Sequence, residues 1–525
     1  MDTLNTANSL RAGPSSAFAE AYLPATPSAV PATDSQSLPQ IALSDPLSDA
    51  SGLRVSVMLT ISGPRTEPEV IYAKPVLPLT ATSTVLAPEA TIATRAWASA
   101  PADPISDLMA RNLDPSTRSL ADRWKGLGSA LLGRFKTTQG DYTQTVADVA
   151  AVQSSEKLTN TQALASVADG QTQVSLKLQT RSGQTVELVI SLGSLSKAVT
   201  KGLHVAVHVS GTLSPAERSA LVSLSAGFDQ VLDGLGQADG PRLNLAGLLN
   251  YDPAVFTRVD MRVKNLARTD ALGSFEFHAD ASRKALSVQG RAGALAVNLD
   301  LGTQTAFATQ AQQQAALRSY LAQFDAAAQR SHSDAVLVEQ FKQAFVQLHE
   351  AATKEVGLAG APIAPIAPTA PTAMMPLQMQ IQPLLSGLKD FEASFGGGFS
   401  HANARGDTTE TGDSDFQLSQ KTSTTGRDPT GAVTVSQTQS AQLAAHYLQA
   451  TNGGRLDTDT GNYDSYRIRD RSETTTTIDT AHARLVSALS TSLQDQWLGF
   501  ERRVNHHVTE TRESPFRKVS SRSLL

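Results

Sequence analysis

The stretch that decides the fold class is residues 203–235, which read LHVAVHVSGTLSPAERSALVSLSAGFDQVLDGL. From 203 to 209 every second residue is apolar, which is the period of a β-strand with one buried face. Ser214-Pro215-Ala216-Glu217 then combines a capping box with a proline at the first helical position, and this predicts the start of a helix. Apolar residues recur at helical spacing after it, at Leu221, Leu224, Phe228 and Val231. The stretch therefore predicts a strand followed directly by an amphipathic helix.

Further alternating segments surround this unit and predict the rest of a sheet. Residues 173–178 and 185–192 lie on either side of a turn at Ser182-Gly183, which is a hairpin signal. Four shorter alternating segments follow, at 259–263, 274–280, 285–290 and 294–301. Short strands joined by turns and packed by a helix are typical of an α+β arrangement with an antiparallel sheet. We therefore predict an α+β sheet domain over 140–302.

Residues 305–354 have the apolar spacing of two consecutive helices. The apolar positions are Leu317, Leu321 and Phe324 for the first helix, and Leu337, Phe341, Phe345 and Leu348 for the second. Between them, Ser333 or Asp334 is suited to cap the start of the second helix. The pattern predicts a helical hairpin whose apolar side packs on the core.

Residues 104–136 predict an amphipathic helix that carries both apolar and basic side chains. Its apolar positions are Trp124, Leu127, Leu131 and Phe135. Such a helix either docks on the protein's own core or rests on a membrane surface. Glycines at 126, 128 and 133 each weaken a free helix by about 1 kcal/mol relative to alanine. We therefore favour docking on the core and keep membrane-surface contact through these four side chains as the alternative.

Two regions have the composition of chain that does not pack. Residues 1–103 are rich in Pro, Ala, Ser and Thr, so we predict a mostly disordered N-terminal region. Residues 359–377 are rich in Pro and Ala, with a proline at every third position from Pro362 to Pro371. Because polyproline II has three residues per turn, this spacing predicts a semi-rigid linker. A docking peptide for a proline-recognising domain is the alternative.

The C-terminal part of the sequence predicts long, more polar strands that extend or wrap the first sheet. Within residues 378–513 we predict a short helix over 383–395, followed by long antiparallel strands rich in Thr and Gln. Residues 485–500 fit a helix as well as a strand, and residues 514–525 are predicted to be a flexible tail. Polar strands of this kind present edges that pair readily with other chains. This predicted C-terminal sheet is therefore the region best suited to contact a partner.

The composition argues against several functional classes. The chain of 525 residues has no cysteine, which removes disulfides, thiolate metal sites and cysteine nucleophiles. Its net charge is -5 and it has no large basic block, which argues against a nucleic-acid-binding protein. We also predict no Sec-type signal peptide and no transmembrane segment, because no long apolar run is present.

Histidines are the side chains whose spacing first suggests a metal site. His204 and His208 are four residues apart, but in a strand that separation is about 13 Å, too far for one ion. A composite site in the C-terminal half would have to combine His446, His482, His506 and His507. His506 and His507 are adjacent, so in a strand they point to opposite faces and at most one of them could take part. We interpret His204 and His208 as strand residues facing solvent, and we keep a composite site of the C-terminal histidines as the less favoured alternative.

Three further motifs have both a chemical and a simpler interpretation. Asp457, Asp459 and Asp464 are spaced as in a calcium loop, but the Gly and Glu of an EF-hand are missing, which favours a hairpin turn. Ser194–Lys197 matches Ser-x-x-Lys of penicillin-recognising enzymes without the other elements of that chemistry. Arg405-Gly406-Asp407 spells an adhesion tripeptide, yet it lies among turn-forming residues that we expect to mark the start of the polar sheet. We predict no catalytic, cofactor-binding or metal-binding residue.

Two parts of the sequence resemble domains of uncharacterised proteobacterial proteins. The first is LHVAVHVSGTLSPAERSALVSLSAGFDQVLDGL with the following GLLNYDPAVFTRVDMRV, and the second is the Thr/Gln-rich VTVSQTQSAQLAAHYLQA with GNYDSYRIRD. The resemblance extends over roughly residues 170–302 and 405–512 and concerns the rhythm of strands, turns and helix. It implies a bacterial protein and assigns no activity or functional residue.

Together these observations favour a non-enzymatic bacterial interaction or assembly protein. We expect it to be exported or associated with the cell envelope, because it lacks cysteine and has a neutral Ala/Ser/Thr/Gln surface. Its contact surface would be the Thr/Gln-rich C-terminal sheet, binding a protein partner or a second copy. The alternative is an intracellular accessory factor or export substrate linked to flagellar-type assembly. A hydrolase with carboxylates assembled only by folding is a third possibility.

Overall fold

The computed structural model describes most of the chain from residue 94 onward, and the description that follows concerns these residues only. They are 94–114, 119–149, 160–170, 172–195, 200–237, 240–265, 272–302, 309–359, 381–426, 432–482 and 484–525. The linker predicted at 359–377 and residues 1–93 of the predicted disordered region lie outside them, apart from Ala359.

The described chain forms one antiparallel sheet of fifteen strands. They are β1 Thr94–Trp97, β2 Tyr142–Val149, β3 Thr172–Thr180, β4 Thr185–Leu195, β5 Thr200–Val209, β6 Phe256–Asn265, β7 Leu272–Asp280, β8 Arg283–Gly290, β9 Gly293–Asp300, β10 Asp390–Ala402, β11 Thr408–Thr425, β12 Val433–Gln449, β13 Tyr463–Ala481, β14 Arg484–Val504 and β15 His507–Ser523. Their order across the sheet is β1-β2-β5-β4-β3, and from β6 to β15 it follows the sequence. The fold is therefore α+β with an antiparallel sheet, as the sequence predicts.

The helices of the described residues are mostly inserted between strands. They are α1 Pro104–Asn112, α2 Leu120–Trp124, α3 Leu127–Gly133, α4 Asn160–Ala168, α5 Pro215–Leu235, α6 Ala246–Leu249, α7 Gln310–Ser331 and α8 Ala335–Ala359, with single 3-10 turns at Arg134–Lys136 and Gln382–Leu384. In the described residues, no helix is long and apolar enough to cross a membrane.

The two β-rich halves predicted from the sequence are continuous. β10 follows the helical hairpin in sequence, yet it pairs with β9, which precedes the hairpin. In this pairing Phe391 is opposite Leu299 and Phe395 is opposite Leu295. One strand pair therefore joins the N-terminal and C-terminal strands into a single sheet.

One face of the sheet carries the hydrophobic core, and we call it the helix face. Residues opposite each other across neighbouring strands share a face, and the row Leu176, Met261, Phe277, Leu286 and Val297 is buried throughout. The long helices pack on this side; for example, Phe324 of α7 and Phe341 of α8 contact Phe416 and Phe395. The opposite side, which we call the open face, is polar, as an antiparallel sheet with one solvated face requires.

In the described part of the chain, α4 is the helix that packs on the open face. It lies over β2, β4 and β5, where the backbone of Gly193 and Gly202 leaves room for Val167. A Cβ at Gly202 would lie 2.1 Å from a Val167 methyl group, so only glycine fits there. α4 is far from β11 to β15 in the order of the sheet, and it leaves their open face uncovered.

The helix start at Ser214 is confirmed. The Ser214 hydroxyl accepts from the Glu217 amide at 3.3 Å, and the Glu217 carboxylate accepts from the Ser214 amide at 2.8 Å. The helical hairpin predicted over 305–354 is also present, as α7 and α8. Asp334 caps the second helix by accepting from the amides of Val336 and Leu337, each at 2.9 Å.

The structure corrects three local predictions and decides between the strand and the helix that the sequence leaves open for residues 485–500. Residues 104–136 form several short helices instead of one, because Gly126 adopts a left-handed φ of +73° that ends one helix before the next begins. Residues 383–395 hold a 3-10 turn and the start of β10 instead of a helix, and 485–500 belong to β14. The predicted flexible tail 514–525 belongs mostly to β15. In β10, every second side chain is buried on the helix face, and this is the periodicity of a strand, not of the predicted helix.

Candidate interaction surface

The C-terminal strands are longer than the others and less covered. β11 to β14 contain 17 to 21 residues each. Helix α7 reaches across to β12 and β13, where Arg330 pairs with Asp470. Beyond them, β14 has mostly half-buried side chains, and nearly every side chain of β15 is exposed. The sheet therefore continues past its helical layer, and its last strands face solvent on both sides.

β15 is an edge strand of 17 residues. One side of it pairs with Leu489–Val504 of β14, and its other side pairs with no strand of the described residues. Three of its apolar side chains are largely exposed, Val508 at 48%, Phe516 at 40% and Val519 at 64%. An exposed edge with apolar side chains is the feature by which sheets add a further strand.

Charged side chains form two columns on the open face of β11, β12 and β13. Asp413 and Asp415 of β11 form an acidic column, and Arg467, Arg469 and Arg471 of β13 form a basic column. Between the columns, β12 contributes the middle residue of each row: Asp413–His446–Arg467, Asp415–Ala444–Arg469 and Gln417–Gln442–Arg471. Neighbouring strands are about 4.8 Å apart, so the two columns are roughly 10 Å apart.

The pKa values of both carboxylates in the acidic column, Asp413 and Asp415, are raised above the value of a free aspartate. Burial raises the pKa of Asp415, although the Gln417 side chain donates to it at 3.0 Å. Burial also raises the pKa of Asp413, and the nearby His446 offsets this in part. Burial lowers the pKa of His446, which therefore tends to be neutral. Asp415 is half-buried and Asp413 is exposed, and the nearest cationic column lies one strand further away.

On the helix face, a row of stacked rings crosses the same strands. His332 stacks on Tyr447 with ring centroids 4.5 Å apart, and Tyr447 stacks on Tyr466 at 4.7 Å. Phe500 of β14 continues the row at 5.2 Å from Tyr466. The buried Glu410 accepts from His332 at 2.6 Å and fixes its ring. These contacts connect β11 to β14 on the helix face.

The two histidines of β5 lie in different surroundings. His204 lies on the side covered by α4 and bonds to the Thr145 hydroxyl at 2.8 Å, and burial lowers its pKa. His208 is exposed and bonds to Asp141 at 2.9 Å. The two rings therefore have separate partners, as the strand geometry predicts, but His204 is more buried than the sequence suggests.

The four C-terminal histidines are not brought together. His482 follows the end of β13 at which Ala481 pairs with Arg484, whereas His506 and His507 lie near the end at which Tyr463 pairs with Arg503. A strand of 19 residues places these ends about 60 Å apart. Within the described residues, no group of three His, Cys, Asp or Glu side chains is placed to hold a metal ion.

The proposed calcium-loop residues have other partners. Asp457 caps its own turn by accepting from the Thr460 amide at 2.9 Å. Asp464 lies in β13 and accepts from Arg502 at 2.8 and 2.9 Å, with its side chain 7% exposed. The geometry is that of a hairpin connection. In the Ser-x-x-Lys motif, Ser196 and Lys197 lie outside the described residues.

Arg405-Gly406-Asp407 occupies the hairpin turn between β10 and β11, so it does not mark the start of the polar strands, which begin before it with β10. Gly406 has a φ of +84°, and the Asn403 side chain accepts from the amides of Arg405 and Asp407 at 2.9 and 3.1 Å. Asn403 also donates to the Asp407 carboxylate at 3.3 Å. The tripeptide is thus held by turn chemistry.

The four apolar side chains of the predicted amphipathic helix belong to the core. Trp124, Leu127, Leu131 and Phe135 are each 0% exposed. The helices that carry them pack on α5. These side chains have no surface from which to contact a membrane in this structure, and docking on the core is the interpretation that the structure supports.

A cavity of about 650 Å³ opens where the β8–β9 turn meets the start of α8 and strands β10 and β11. Its lining combines apolar side chains such as Leu337 and Phe399 with Arg291 and Asp334 at polar positions. Sequence reasoning missed this cavity because its walls come from segments that are distant in the sequence. It also missed the charged columns, although their alternation is visible in ETGDSDF and YRIRDR.

Comparison with models of protein families, with curated proteins and with solved structures finds no match to this chain. The resemblance to proteobacterial proteins therefore stays a prediction. Function has to be argued from the surface itself.

Proposed function

We propose that this protein is a non-enzymatic interaction or assembly protein that binds an extended segment of a partner protein along β15. The observation that supports this most directly is the free edge of that strand, 17 residues long and next to no other described strand on its outer side. In strand addition, unpaired backbone groups provide affinity, and alternate side chains provide specificity. The Thr/Gln-rich strands behind β15 supply the rigid sheet that this mode of binding needs.

The charge of β15 indicates the kind of segment. Its sequence HVTETRESPFRKVSSRS contains four basic and two acidic side chains. Two copies of this edge would bring like charges together, so pairing with an identical edge is unfavourable. A segment in which acidic and apolar residues alternate carries its carboxylates on one face, where they would pair with Arg512 and Lys518.

Pro515 defines which backbone groups face outward. Proline has no N–H, so within an edge strand it occupies a position whose nitrogen points away from the neighbouring strand. Residues two and four positions from Pro515 share that orientation, which makes the amides of Arg517 and Val519 outward donors. A proline at Val519 would therefore remove a donor needed for strand addition and leave the pairing with β14 intact.

The test uses a labelled synthetic peptide of ten residues in which Glu and Val alternate. We expect it to bind the full-length protein and the Val519→Thr variant, and to lose at least about tenfold in affinity with Val519→Pro, measured by fluorescence anisotropy. The same peptide with Lys in place of Glu should not bind. Thermal unfolding of the Val519→Pro variant checks that the sheet is intact. Equal affinity of Val519→Pro and wild type, or no binding up to about 1 mM, would contradict the proposal.

We also propose that the protein acts outside the cytoplasm, in the cell envelope or after export. The support is its lack of cysteine together with an edge strand that is exposed to partners. Fractionation of cells expressing the native protein tests this. Recovery from the cytoplasmic fraction alone would exclude export.

A further inference from the structure

The acidic and basic columns on the open face are arranged symmetrically about β12. Each row has an acidic or amide residue on β11, a middle residue on β12 and an arginine on β13. The three arginines are exposed, and α4, the helix on this side of the described chain, lies over β2, β4 and β5 instead. The surface is therefore accessible in the described structure, and its charge changes sign across a single strand.

We propose that two copies of this chain associate through their open faces, about a two-fold axis that runs parallel to β12. Such an axis exchanges the sides of β12 and keeps each position along the strand. It therefore places β11 of one copy over β13 of the other. Asp413 then faces Arg467 of the second copy, and Asp415 faces Arg469 of the second copy.

This pairing of opposite charges follows directly from the strand register, without any shift of one copy along the strands. Both members of each pair lie in the same row, because Asp415 is opposite Ala444 and Ala444 is opposite Arg469. Two sheets that stack face to face are about 10 Å apart, which is within reach of an arginine and an aspartate extended toward each other. At the axis, the small side chain of Ala444 would face its own copy.

The shape of the next strand on each side, β10 and β14, also fits this arrangement. Gly396 and Gly398 of β10 flank the acidic column, and Gly499 and Trp497 of β14 flank the basic one. The Trp497 ring lies over Gly499, where a Cβ would be 2.4 Å from it, and Arg469 lies 5.6 Å from the ring centroid. The proposed axis places this flat ring over the glycines of β10, where no side chain obstructs it.

Among the described residues of one copy, no lysine or arginine is placed against the acidic column. Burial raises the pKa of both Asp413 and Asp415, and His446, their neighbour on β12, is itself shifted toward the neutral form. The arginines of a second copy would supply the missing positive charge. Self-association of this kind is isologous, so the same pairs form twice and the assembly closes as a dimer.

The interface differs from the edge at β15, and charge-reversal variants test it directly. We expect the full-length protein to form a dimer in sedimentation equilibrium. Asp415→Arg and Arg469→Asp should each raise the dimer dissociation constant by about a hundredfold, because each creates two like-charge contacts worth roughly tenfold apiece. Mixing the two single variants should restore dimers, since every pair across a mixed interface is then of opposite charge.

The double variant D415R/R469D should dimerise like the wild type for the same reason. Val519→Pro serves as the control for the other surface and should leave dimerisation unchanged. A wild-type protein that stays monomeric at all concentrations would overturn the proposal. So would single variants that keep the wild-type dissociation constant, or a mixture that stays monomeric while each variant has the circular dichroism and melting temperature of the wild type.

Discussion

The guanidinium group of Arg330, at the end of α7, donates to both carboxylate oxygens of Asp470 in β13. The Nη2–Oδ1 distance is 3.0 Å, and the two side chains are 23% and 12% exposed. This bidentate pair attaches the helical layer to the strands that carry the proposed binding surfaces. It is also the starting point for a stability prediction.

Asp470→Asn should lower the free energy of unfolding by about 2 kcal/mol, because Arg330 would keep its charge in a largely desolvated site. Urea unfolding followed by circular dichroism measures the loss. The matched control is Asp325→Asn, which breaks the exposed pair with Lys342 and should cost less than about 1 kcal/mol. Equal costs for the two variants would show that the Arg330 pair does not anchor α7.

Glu217 predicts a loss of stability in acid. Burial alone would raise its pKa, but hydrogen bonds from Ser182, the Ser214 amide and Thr180 outweigh it and lower the pKa to about 2. A carboxylate with a lowered pKa stabilises the fold above its unfolded pKa, near 4.3, and this contribution is lost as the pH falls toward 2. Glu217→Gln should therefore cost about 1 kcal/mol at pH 7 and almost nothing near pH 2. Chemical unfolding across this range checks it; a cost that does not change with pH would exclude the charged carboxylate as its source.

His349 predicts a second pH effect in a different range. Its ring packs between Phe345 and Phe391, with centroids 4.2 and 5.2 Å away, and burial lowers its pKa to about 4. Nδ1 bonds to the Phe345 carbonyl at 2.8 Å, and Nε2 has no hydrogen-bond partner in the described residues. Between pH 6.5 and 4 the unfolded chain binds a proton that the folded chain excludes, so stability falls as the pH is lowered.

Replacing this ring should remove that dependence. His349→Phe should be more stable than the wild type, by about 1 kcal/mol at pH 7 and by about 2 kcal/mol more at pH 5. Melting temperatures of both proteins between pH 5 and 7 provide the measurement. If both lose stability in parallel over this range, another group is responsible for the dependence.

Gly227 and Gly247 allow α5 and α6 to touch. A Cβ on Gly227 would lie 2.5 Å from the Gly247 Cα, and one on Gly247 would lie 2.1 Å from the Gly227 Cα. Gly227→Ala should therefore cost about 3 kcal/mol, since backbone would have to move. Gly133→Ala is the control. Gly133 lies in α3, and a Cβ added there would meet no neighbouring atom within 4 Å, so the variant should gain about 0.5 kcal/mol in the free energy of unfolding. Differential scanning calorimetry compares the two, and similar melting temperatures would contradict the close contact.

The sequence predicts those elements whose signals are local. Ser214 and Glu217 identify the start of α5, and the apolar spacing at Leu337, Phe341 and Phe345 identifies α8, because capping and helical periodicity involve residues within one or two turns. The strands from β6 to β9 are equally recognisable, since each alternates between a buried and an exposed face. These local signals are sufficient to predict most of the side chains that form the core.

What the sequence does not predict depends on register between distant segments. β15 is exposed on both faces, so it has no buried alternation and resembles a flexible tail. Asp415 and Arg469 are charged residues without obvious connection until pairing through Ala444 places them in one row. The choice between strands that extend the first sheet and strands that wrap it also depends on such a register, because β9 and β10 are separated in sequence by the helical hairpin.

From β7 onward each strand pairs with the strand before it in the sequence. During translation, the edge left by one strand is therefore the template for the next, and the sheet can grow in the order of synthesis. The outer edge of β15 forms only after β6 to β14 have been synthesised and have joined the sheet. A partner that recognises this edge would therefore bind only after β15 has joined the sheet, because a sheet that stops at an earlier strand presents different side chains at its edge.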